Sequence, residues 1–464
     1  MKKSQSLLIL FSAIVVLLSI YLFLEYRPQD TTEDSKASSK NITIINLNSS
    51  NIRKIVLKST NNTLRFEKKN QLWKATFAFP YKQDVIDNLS NVFMGLQAEQ
   101  VIDESPTDME QYGLKIPAVI IEVTIDDDKS PKIMYLGDLA PSGNCYYFKL
   151  ADKPTVYTIP NYNGDKFKLT PADFRDYSLT QIDTHNINYL KLSSIGKPVL
   201  EIKTNTITSK LTNYGIGIWQ MTKPYQETIT IATDKFQPVL DSLASITNAE
   251  TFVEDNPSDL SLYGLTNPQA ELLIKDNKTQ FKLLIGKPKN ENFIYCRTSD
   301  SNTIFTIKRS NLSILDTKPF ELIEKFVFIV NIEDVDKISL SGLGTNHNMV
   351  IDRKRNPKPK DESDKYKTSY NVDGKKVEEH LFKTIYQNLI GLLVESECQF
   401  QPNNKTPDLS MIYYLNKGEQ HKIVINFIHY NYDFYAVSRN GKTEFLISKD
   451  QVKLMLNKLK TLIK

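Results

Sequence analysis

The sequence predicts an α+β protein in which an N-terminal transmembrane helix precedes three tandem α+β repeats, the third of them degenerate. Two observations support this: residues 7–24 contain no charged side chain, and motifs recur at fixed spacing along the rest of the chain. The 464 residues are too many for one ordinary core, and an apolar fraction of 40% is enough for several domains. The 58 Lys and Arg nearly balance the 54 Asp and Glu, which argues against a nucleic-acid-binding protein.

The N-terminus is typical of a membrane anchor. As a helix, residues 7–24 would extend about 27 Å, enough for a thin hydrocarbon core. Lys2 and Lys3 precede this segment and acidic residues follow it, so the positive-inside rule predicts that residues 1–6 are cytoplasmic. We therefore expect a single-pass protein of the cell membrane whose repeats are extracytoplasmic. The polar residues 25–43 are expected to form a flexible tether.

A cleaved signal peptide is the alternative to an uncleaved signal anchor. Residues 21–27 are bulky and offer no small-x-small cleavage site. Ser35-Lys36-Ala37 has that pattern but lies far downstream of the apolar segment. The sequence therefore favours the uncleaved signal anchor.

Recurring motifs define the repeats, which we predict at 44–183, 184–333 and 334–464. The first motif, Asp108-x3-Tyr112-Gly113-Leu114-x2-Pro117, recurs as Asp259-x3-Tyr263-Gly264-Leu265-x2-Pro268. The only two tryptophans, Trp73 and Trp219, each precede a Pro-Tyr pair. A Tyr-x7-Thr motif marks all three copies, at Tyr147 and Thr155, Tyr295 and Thr303, and Tyr435 and Thr443. The third copy lacks the first motif and the tryptophan.

Each repeat is predicted to consist of strands, one amphipathic helix and an antiparallel β-meander. Period-2 alternation begins at Ile52, Tyr189 and Val335 and indicates half-buried strands. The helices follow from apolar stripes at helical spacing, and we expect Asp234 to cap the second helix. The stripes are Val85, Leu89, Val92, Phe93 and Leu96; Phe236, Leu240, Leu243 and Ala244; and Val377, Leu381, Ile385 and Leu389.

The meander of the first copy is predicted at 119–125, 132–136, 145–150 and 156–159. Its last hairpin turns at Asp152-Lys153-Pro154, and the equivalent turn of the third copy is Asn440-Gly441. Tyr147 and Tyr157 are expected to be cross-strand neighbours. The charged insertion 356–367 in the third copy is expected to be a solvated loop.

The Asp-x3-Tyr-Gly-Leu motif has a structural explanation that we favour over a ligand site. Asp108 or Asp259 would cap one helical turn, and Gly113 or Gly264 would end it in the left-handed conformation. The following leucine would pack back onto the turn, and Pro117 or Pro268 would prevent its continuation. Both tryptophans and the Tyr-x7-Thr tyrosines are likewise expected to pack as partly buried aromatics. Stacking on a carbohydrate is the alternative for these aromatic side chains.

No catalytic, cofactor or metal constellation is predicted. The five histidines are scattered without a ligand pattern, and no Walker A, GxGxxG or GxSxG signature is present. Glu99 and Glu250 recur at equivalent positions, but carboxylates on separate domains are not expected to act as a catalytic pair. We therefore predict that the protein is not an enzyme and has no cofactor.

The motifs resemble those of a bacterial family, the domain of unknown function 4340 proteins. The features that carry the resemblance are the N-terminal anchor and the two Tyr-Gly-Leu motifs, with Leu136-Gly137-Asp138, Cys145-Tyr146-Tyr147-Phe148, Ile285-Gly286-Lys287 and Ile294-Tyr295-Cys296. This family has no assigned activity, and its members are often encoded beside ABC-transporter components that resemble gliding-motility and exporter auxiliary subunits. The resemblance implies an extracytoplasmic accessory protein whose partners are transporter permease or auxiliary subunits. It carries over no catalytic residue.

Three functions follow as hypotheses. The leading one is a membrane-anchored extracytoplasmic, non-enzymatic interaction protein that is accessory to an ABC-type transport complex. The first alternative is a surface module that binds cell-wall polymers or other glycans through the recurring Tyr and Trp. The second is a hydrolase with a cryptic site, which would need titratable groups that converge in a cleft.

Overall fold

The computed structural model describes residues 42–126, 130–204, 218–360, 365–402, 406–417 and 421–463. The predicted transmembrane segment 7–24, residues 1–6 and the tether as far as residue 41 lie outside the described residues. Within the described ranges, no helix has both the length and the apolar character needed to cross a bilayer. The first strand begins at Ile42, so residues 42 and 43 belong to a strand rather than to the predicted tether.

The chain divides into two compact units between Asp176 and Tyr177. The described part of the first unit holds an eight-stranded sheet and a two-stranded ribbon, β1 with β5. Its strands are β1 (Ile42–Ile45), β2 (Ile52–Ser59), β3 (Thr63–Lys69), β4 (Leu72–Ala75), β5 (Leu96–Ala98), β6 (Gln100–Asp103), β7 (Val119–Ile125), β8 (Lys132–Leu139), β9 (Cys145–Leu150) and β10 (Val156–Pro160). Its α-helices are α1 (Gln83–Asn91), α2 (Asn161–Phe167) and α3 (Pro171–Phe174).

The residues described for the second unit form two nine-stranded sheets. The first contains β11 (Tyr189–Ser194), β12 (Leu200–Thr204), β13 (Trp219–Lys223), β14 (Ile229–Thr230), β15 (Thr251–Glu254), β16 (Ala270–Lys275), β17 (Gln280–Pro288), β18 (Phe293–Thr298) and β19 (Ile304–Lys308), with helices α4 (Thr233–Ala244) and α5 (Pro319–Leu322). The second contains β20 (Val335–Gly342), β21 (Thr345–Arg355), β22 (Tyr366–Val372), β23 (Lys375–Val377), β24 (Ser396–Glu397), β25 (Pro407–Leu415), β26 (Lys422–His429), β27 (Phe434–Arg439) and β28 (Lys442–Ser448), with α6 (Glu379–Ile390) and α7 (Lys449–Leu462).

The three large sheets share one strand order. They read β4-β3-β2-β7-β8-β9-β10-β6, β14-β13-β12-β11-β16-β17-β18-β19-β15 and β23-β22-β21-β20-β25-β26-β27-β28-β24. In each, the chain runs from a central strand to one edge, crosses through the amphipathic helix to the opposite edge, and returns to the centre for a four-stranded meander. All described strand pairs are antiparallel. The shared order confirms tandem α+β repeats.

Each repeat has its own core between the helix and one face of its sheet. In the first repeat, Ile86 and Leu89 of α1 pack with Phe66 and Ile121 from the strands, and all four are fully buried. The same arrangement gives separate cores to the second and third repeats. Burial of a large apolar side chain contributes roughly 1.5–3 kcal/mol, so these cores account for the stability of each module. Ile182 lies within the predicted bounds of the first repeat, 44–183, but packs into the core of the second.

Several local predictions are wrong at helix boundaries. Asp234 does not cap α4, because the helix begins one residue earlier at Thr233 and its N-cap residue is Ala232. The carboxylate therefore lies in the first turn, where it interacts favourably with the helix dipole. Leu96 and Val377 lie on strands β5 and β23 rather than on helices. In the third repeat, the charged insertion is partly strand, because β22 starts at Tyr366.

The predicted pairing of Tyr147 with Tyr157 is also wrong. Tyr147 lies opposite Thr158, and Tyr157 lies opposite Phe148. Since successive side chains of a strand point to opposite faces, the two tyrosines lie on opposite faces of the sheet. The two-residue Asn440-Gly441 hairpin turn is present, with φ values of 50° and 87° as its type requires.

Candidate functional site

The Asp-x3-Tyr-Gly-Leu motif forms a single 3₁₀ turn at 110–112. The Asp108 carboxylate accepts a hydrogen bond of 2.8 Å from the backbone N–H of Glu110. Gly113 ends the turn in the left-handed conformation at φ 65°, and its N–H donates to the Glu110 carbonyl at 2.9 Å. The second copy repeats these contacts, with Asp259 accepting from Ser261 at 2.8 Å and Gly264 at φ 66°. Pro117 and Pro268 each lie two residues before the next strand.

The turn is fastened to the neighbouring strand through a second glycine. Gly137 on β8 lies so close to the Tyr112 carbonyl oxygen that a Cβ at this position would come within 2.1 Å of it. A Cβ at Gly286 on β17 would come within 2.2 Å of the Tyr263 carbonyl oxygen. The Tyr-Gly-Leu and Leu-Gly-Asp motifs are therefore the two halves of one close contact.

Two tyrosines cover this contact on the sheet face that points away from the helix. The Tyr112 and Tyr147 rings meet edge to face with centroids 5.0 Å apart, and Tyr263 and Tyr295 do so at 5.1 Å. The hydroxyl of Tyr112 donates to Asp103 at 3.4 Å, and burial together with this carboxylate raises its pKa. The tyrosines and leucines of the motif thus form a small satellite core, with Leu114 and Leu265 buried within it.

The third copy uses its Tyr-x7-Thr motif differently. Tyr435 lies opposite Ile447, and the register shifts by one residue between Val437 and Ser438. Because a shift of one residue moves a side chain to the other face, Tyr435 points into the main core instead of a satellite core. Thr443 is buried on β28, whereas Thr303 of the second copy donates a hydrogen bond to Asp255 at 3.0 Å. Thr155 is half-buried just before β10.

Both tryptophans are buried, with exposed fractions of 1% for Trp73 and 6% for Trp219. The Gln83 side chain accepts from the Trp73 backbone N–H at 2.8 Å and donates to its carbonyl at 2.9 Å. In this way one amide occupies the place of a neighbouring strand at the edge of the sheet. Trp219 packs edge to face on Phe236 at 5.1 Å. Neither indole offers a free face on which a sugar ring could stack.

The joint between the second and third repeats was missed by sequence reasoning. The Tyr225 hydroxyl donates to Glu397 at 2.6 Å, and the Tyr225 ring packs on Phe445 with centroids 5.0 Å apart. Glu444 accepts from the backbone N–H of Gln226 at 2.7 Å. Burial and the two nearby carboxylates raise the pKa of Tyr225, so its hydroxyl remains a donor at neutral pH. The Pro-Tyr pair was visible in the sequence, but its partners lie on distant segments with no shared motif.

A cavity of about 30 Å³ lies beside this joint, where Glu227 faces Arg439 at 3.9 Å and Lys442 at 3.7 Å. That volume suits one or two water molecules and is far below the several hundred Å³ of a small-molecule site. The cavity is therefore too small for a substrate molecule, and the contacts beside it attach the second repeat to the third.

The side chains of Glu250 and His347 make local contacts, and Glu99 is held through its backbone. Glu250 pairs with Lys308 at 3.2 Å, and the backbone N–H of Glu99 donates to Thr158 at 2.8 Å. His347 contacts Asp373 at 2.6 Å at the end of a hairpin. Over the described ranges, no group of three or more His, Cys, Asp or Glu side chains is arranged to hold a metal ion.

Comparison with known protein families gives two matches to one family model, and both matches cover repeats of this chain. The family model described as "Domain of unknown function (DUF4340)" matches twice, over residues 73–250 and 219–396. Each match begins at a tryptophan and runs into the following repeat, which explains their overlap. No curated protein and no solved structure matches the chain. Since the two matches together span more than half of its length, the chain belongs to the DUF4340 family.

Proposed function

We propose that the protein is a membrane-anchored, extracytoplasmic, non-enzymatic interaction protein that is accessory to an ABC-type transport complex. One observation carries the proposal: the recurring motifs are used to fasten a turn to a sheet in successive modules of one topology. Repeated modules of one topology offer similar surfaces, which suits contact with large partners. The anchor at 7–24 and the family resemblance supply the membrane and transporter parts of the proposal.

The edge strands β6 and β15 offer equivalent contact positions in the first two repeats. Ile102 on β6 is 37% exposed and Val253 on β15 is 38% exposed. Among the described residues, each strand pairs on one side only, with β10 or β19, so its other side can accept an added strand. In the third repeat the equivalent strand β24 carries Glu397, which is engaged by Tyr225. We therefore place the partner contacts on the first two repeats.

Affinity purification of the full-length protein from its native host tests this function. We expect transporter permease or auxiliary subunits to co-purify in mild detergents. Ile102→Glu combined with Val253→Glu should reduce their recovery, because strand addition would bury these charges. Ile195→Glu is the matched control, since Ile195 is 71% exposed and lies in a turn rather than on an edge strand.

Two results would contradict the proposal. One is recovery of no transporter subunit in any of several mild detergents. The other is a protein that alkaline carbonate releases from the membrane, which would remove the anchor. Protease accessibility on intact cells then decides whether the repeats are extracytoplasmic.

A further inference from the structure

The third repeat carries a basic arm, which we define as residues 353–358 and 366–368 of the β21–β22 hairpin. β21 has 11 residues, whereas β3, the equivalent strand of the first repeat, has 7. The arm is the part of the hairpin farthest from the central strand β20, because the register of β20 with β21 ends at Val350. Lys354, Arg355, Lys358 and Lys367 are exposed on it.

Cations face each other across the two strands of the arm. Lys354 lies directly opposite Lys367, and Arg355 lies opposite Tyr366, which is 55% exposed. Like charges directly opposite each other destabilise a ladder. In the described part of the chain, no carboxylate forms an ion pair with Lys354, Arg355 or Lys367.

The equivalent hairpin of the first repeat is charge-paired instead. Glu67 lies opposite Lys74, and the Glu67 carboxylate also lies 3.6 Å from Lys69 and 3.8 Å from Lys54. The repulsion in the third repeat is therefore not a property of the shared fold. It is a local feature of these two strands, and an external anion would relieve it. The stretch 353–368 has seven Lys or Arg against three Asp or Glu, so it has a positive net charge.

The base of the arm is held firmly by Arg353. Its guanidinium donates to the Val335 and Ile332 carbonyls at 2.9 Å each and to the Asp336 carboxylate at 2.8 Å. These bonds fix the end of β21 to the segment that leads into β20. The exposed Lys and Arg side chains that follow Arg353 therefore lie on a hairpin whose base is fixed by hydrogen bonds.

We propose that the basic arm binds the anionic phospholipid headgroups of the membrane that anchors the chain. Each Lys or Arg near such a surface gains electrostatic attraction, and a tyrosine between cations suits the interface because its ring is apolar and its hydroxyl is polar. An anchored chain meets its own bilayer at a high effective concentration. This inference rests on the membrane anchorage of the proposed function.

The test uses the full chain in lipid nanodiscs with a fluorophore on Thr368→Cys in a Cys398→Ser background. Cys145 and Cys296 are buried, so the label goes to the exposed position 368. Quenching by headgroup-labelled lipid is compared between phosphatidylcholine nanodiscs and nanodiscs with about one third phosphatidylglycerol. We expect quenching to rise about threefold or more with phosphatidylglycerol and to fall back in high salt.

Charge-reversal variants distinguish binding by the basic arm from a general electrostatic attraction of the protein to anionic lipid. Lys354→Glu with Lys367→Glu should abolish the phosphatidylglycerol-dependent quenching. Lys278→Glu with Lys289→Glu, which makes the same charge change on exposed lysines of the second repeat, should leave it unchanged.

Equal quenching in both lipids for a chain that does enter nanodiscs would overturn the inference while leaving the anchor intact. Failure of the chain to enter nanodiscs at all would instead remove the anchorage on which both proposals depend. Binding of soluble polyphosphate by the arm without any response to phosphatidylglycerol would point to an anionic polymer and would also overturn it.

Discussion

The carbonyl oxygen of Tyr112 rests directly on Gly137, and no side chain larger than a hydrogen fits between them. Gly137→Ala should therefore displace the 110–112 turn and destabilise the first unit by about 1–3 kcal/mol, the usual cost of overpacking. Hydrogen–deuterium exchange of the first unit measures this. Gly95→Ala is the control, because a Cβ at Gly95 meets nothing within 4 Å. Equal exchange in both variants would contradict the interlocking of the two motifs.

Gln83 satisfies the backbone of an edge strand with its side-chain amide. Gln83→Ala should cost about 1–2 kcal/mol, because the Trp73 N–H loses its acceptor and the Trp73 carbonyl keeps only the Tyr81 hydroxyl as a donor. Gln83→Glu keeps an acceptor for the N–H but has no donor for the carbonyl, so we expect an intermediate loss. Chemical denaturation, followed by exchange at β4, distinguishes the two variants, and a Glu variant as stable as wild type would be inconsistent with this role.

Tyr225 joins the second repeat to the third. Tyr225→Phe keeps the ring contact with Phe445 but removes the hydrogen bond to Glu397, at a cost of about 1–2 kcal/mol. Proteolysis of the native protein should become faster at the segment between the repeats. Tyr162→Phe serves as the control, since Tyr162 is 64% exposed. An unchanged cleavage rate would show that the joint does not depend on this bond.

The raised pKa of Tyr189 should make the folding stability of the second unit decrease at alkaline pH. Burial, with a further contribution from the hydrogen bond to Glu201, raises its pKa to about 12 from 10.0. Because the folded-state pKa is above the unfolded value, the stabilisation is complete below pH 10 and is lost as pH rises towards 12. Tyr189→Phe should flatten this fall in the second unit. If wild type and variant lose stability in parallel over that interval, Tyr189 is not the cause.

Because of the register shift in the third repeat, Tyr435 and Tyr147, which occupy the same motif position, should contribute differently to folding stability. Tyr435→Ala should cost about 3–5 kcal/mol, because Tyr435 lies in the main core. Tyr147→Ala should cost less, since Tyr147 is half-buried in a satellite core. Exchange measured separately in each unit provides the comparison. Similar losses at both positions would argue against the shifted register.

Sequence reasoning was most successful where a local pattern decides the outcome. Alternating side chains predicted the meander strands of the first repeat closely. Asn440-Gly441 predicted the last hairpin turn of the third repeat, because both residues tolerate positive φ. The recurring motif spacing predicted tandem repeats, and the strand order that the three sheets share confirms them.

The failures have physical causes that local patterns do not carry. Tyr435 has the same spacing as Tyr147, but a bulge reverses the face on which it lies. Val377 fits a helical stripe, yet it pairs with Tyr370 in a sheet because tertiary contacts override periodicity. Tyr225 and Glu397 meet only through packing between repeats, and no spacing in the sequence links them.

The close contact between Gly137 and the Tyr112 carbonyl affects what sequence comparison can say about relatives of this chain. A sequence motif that is required for packing a turn against a strand identifies proteins with this fold, whatever their binding partners are. Similarity detected through this motif is therefore similarity of fold. Shared biology among such proteins is better sought in features that vary between modules, such as the open rims of the first two sheets and the cationic hairpin of the last.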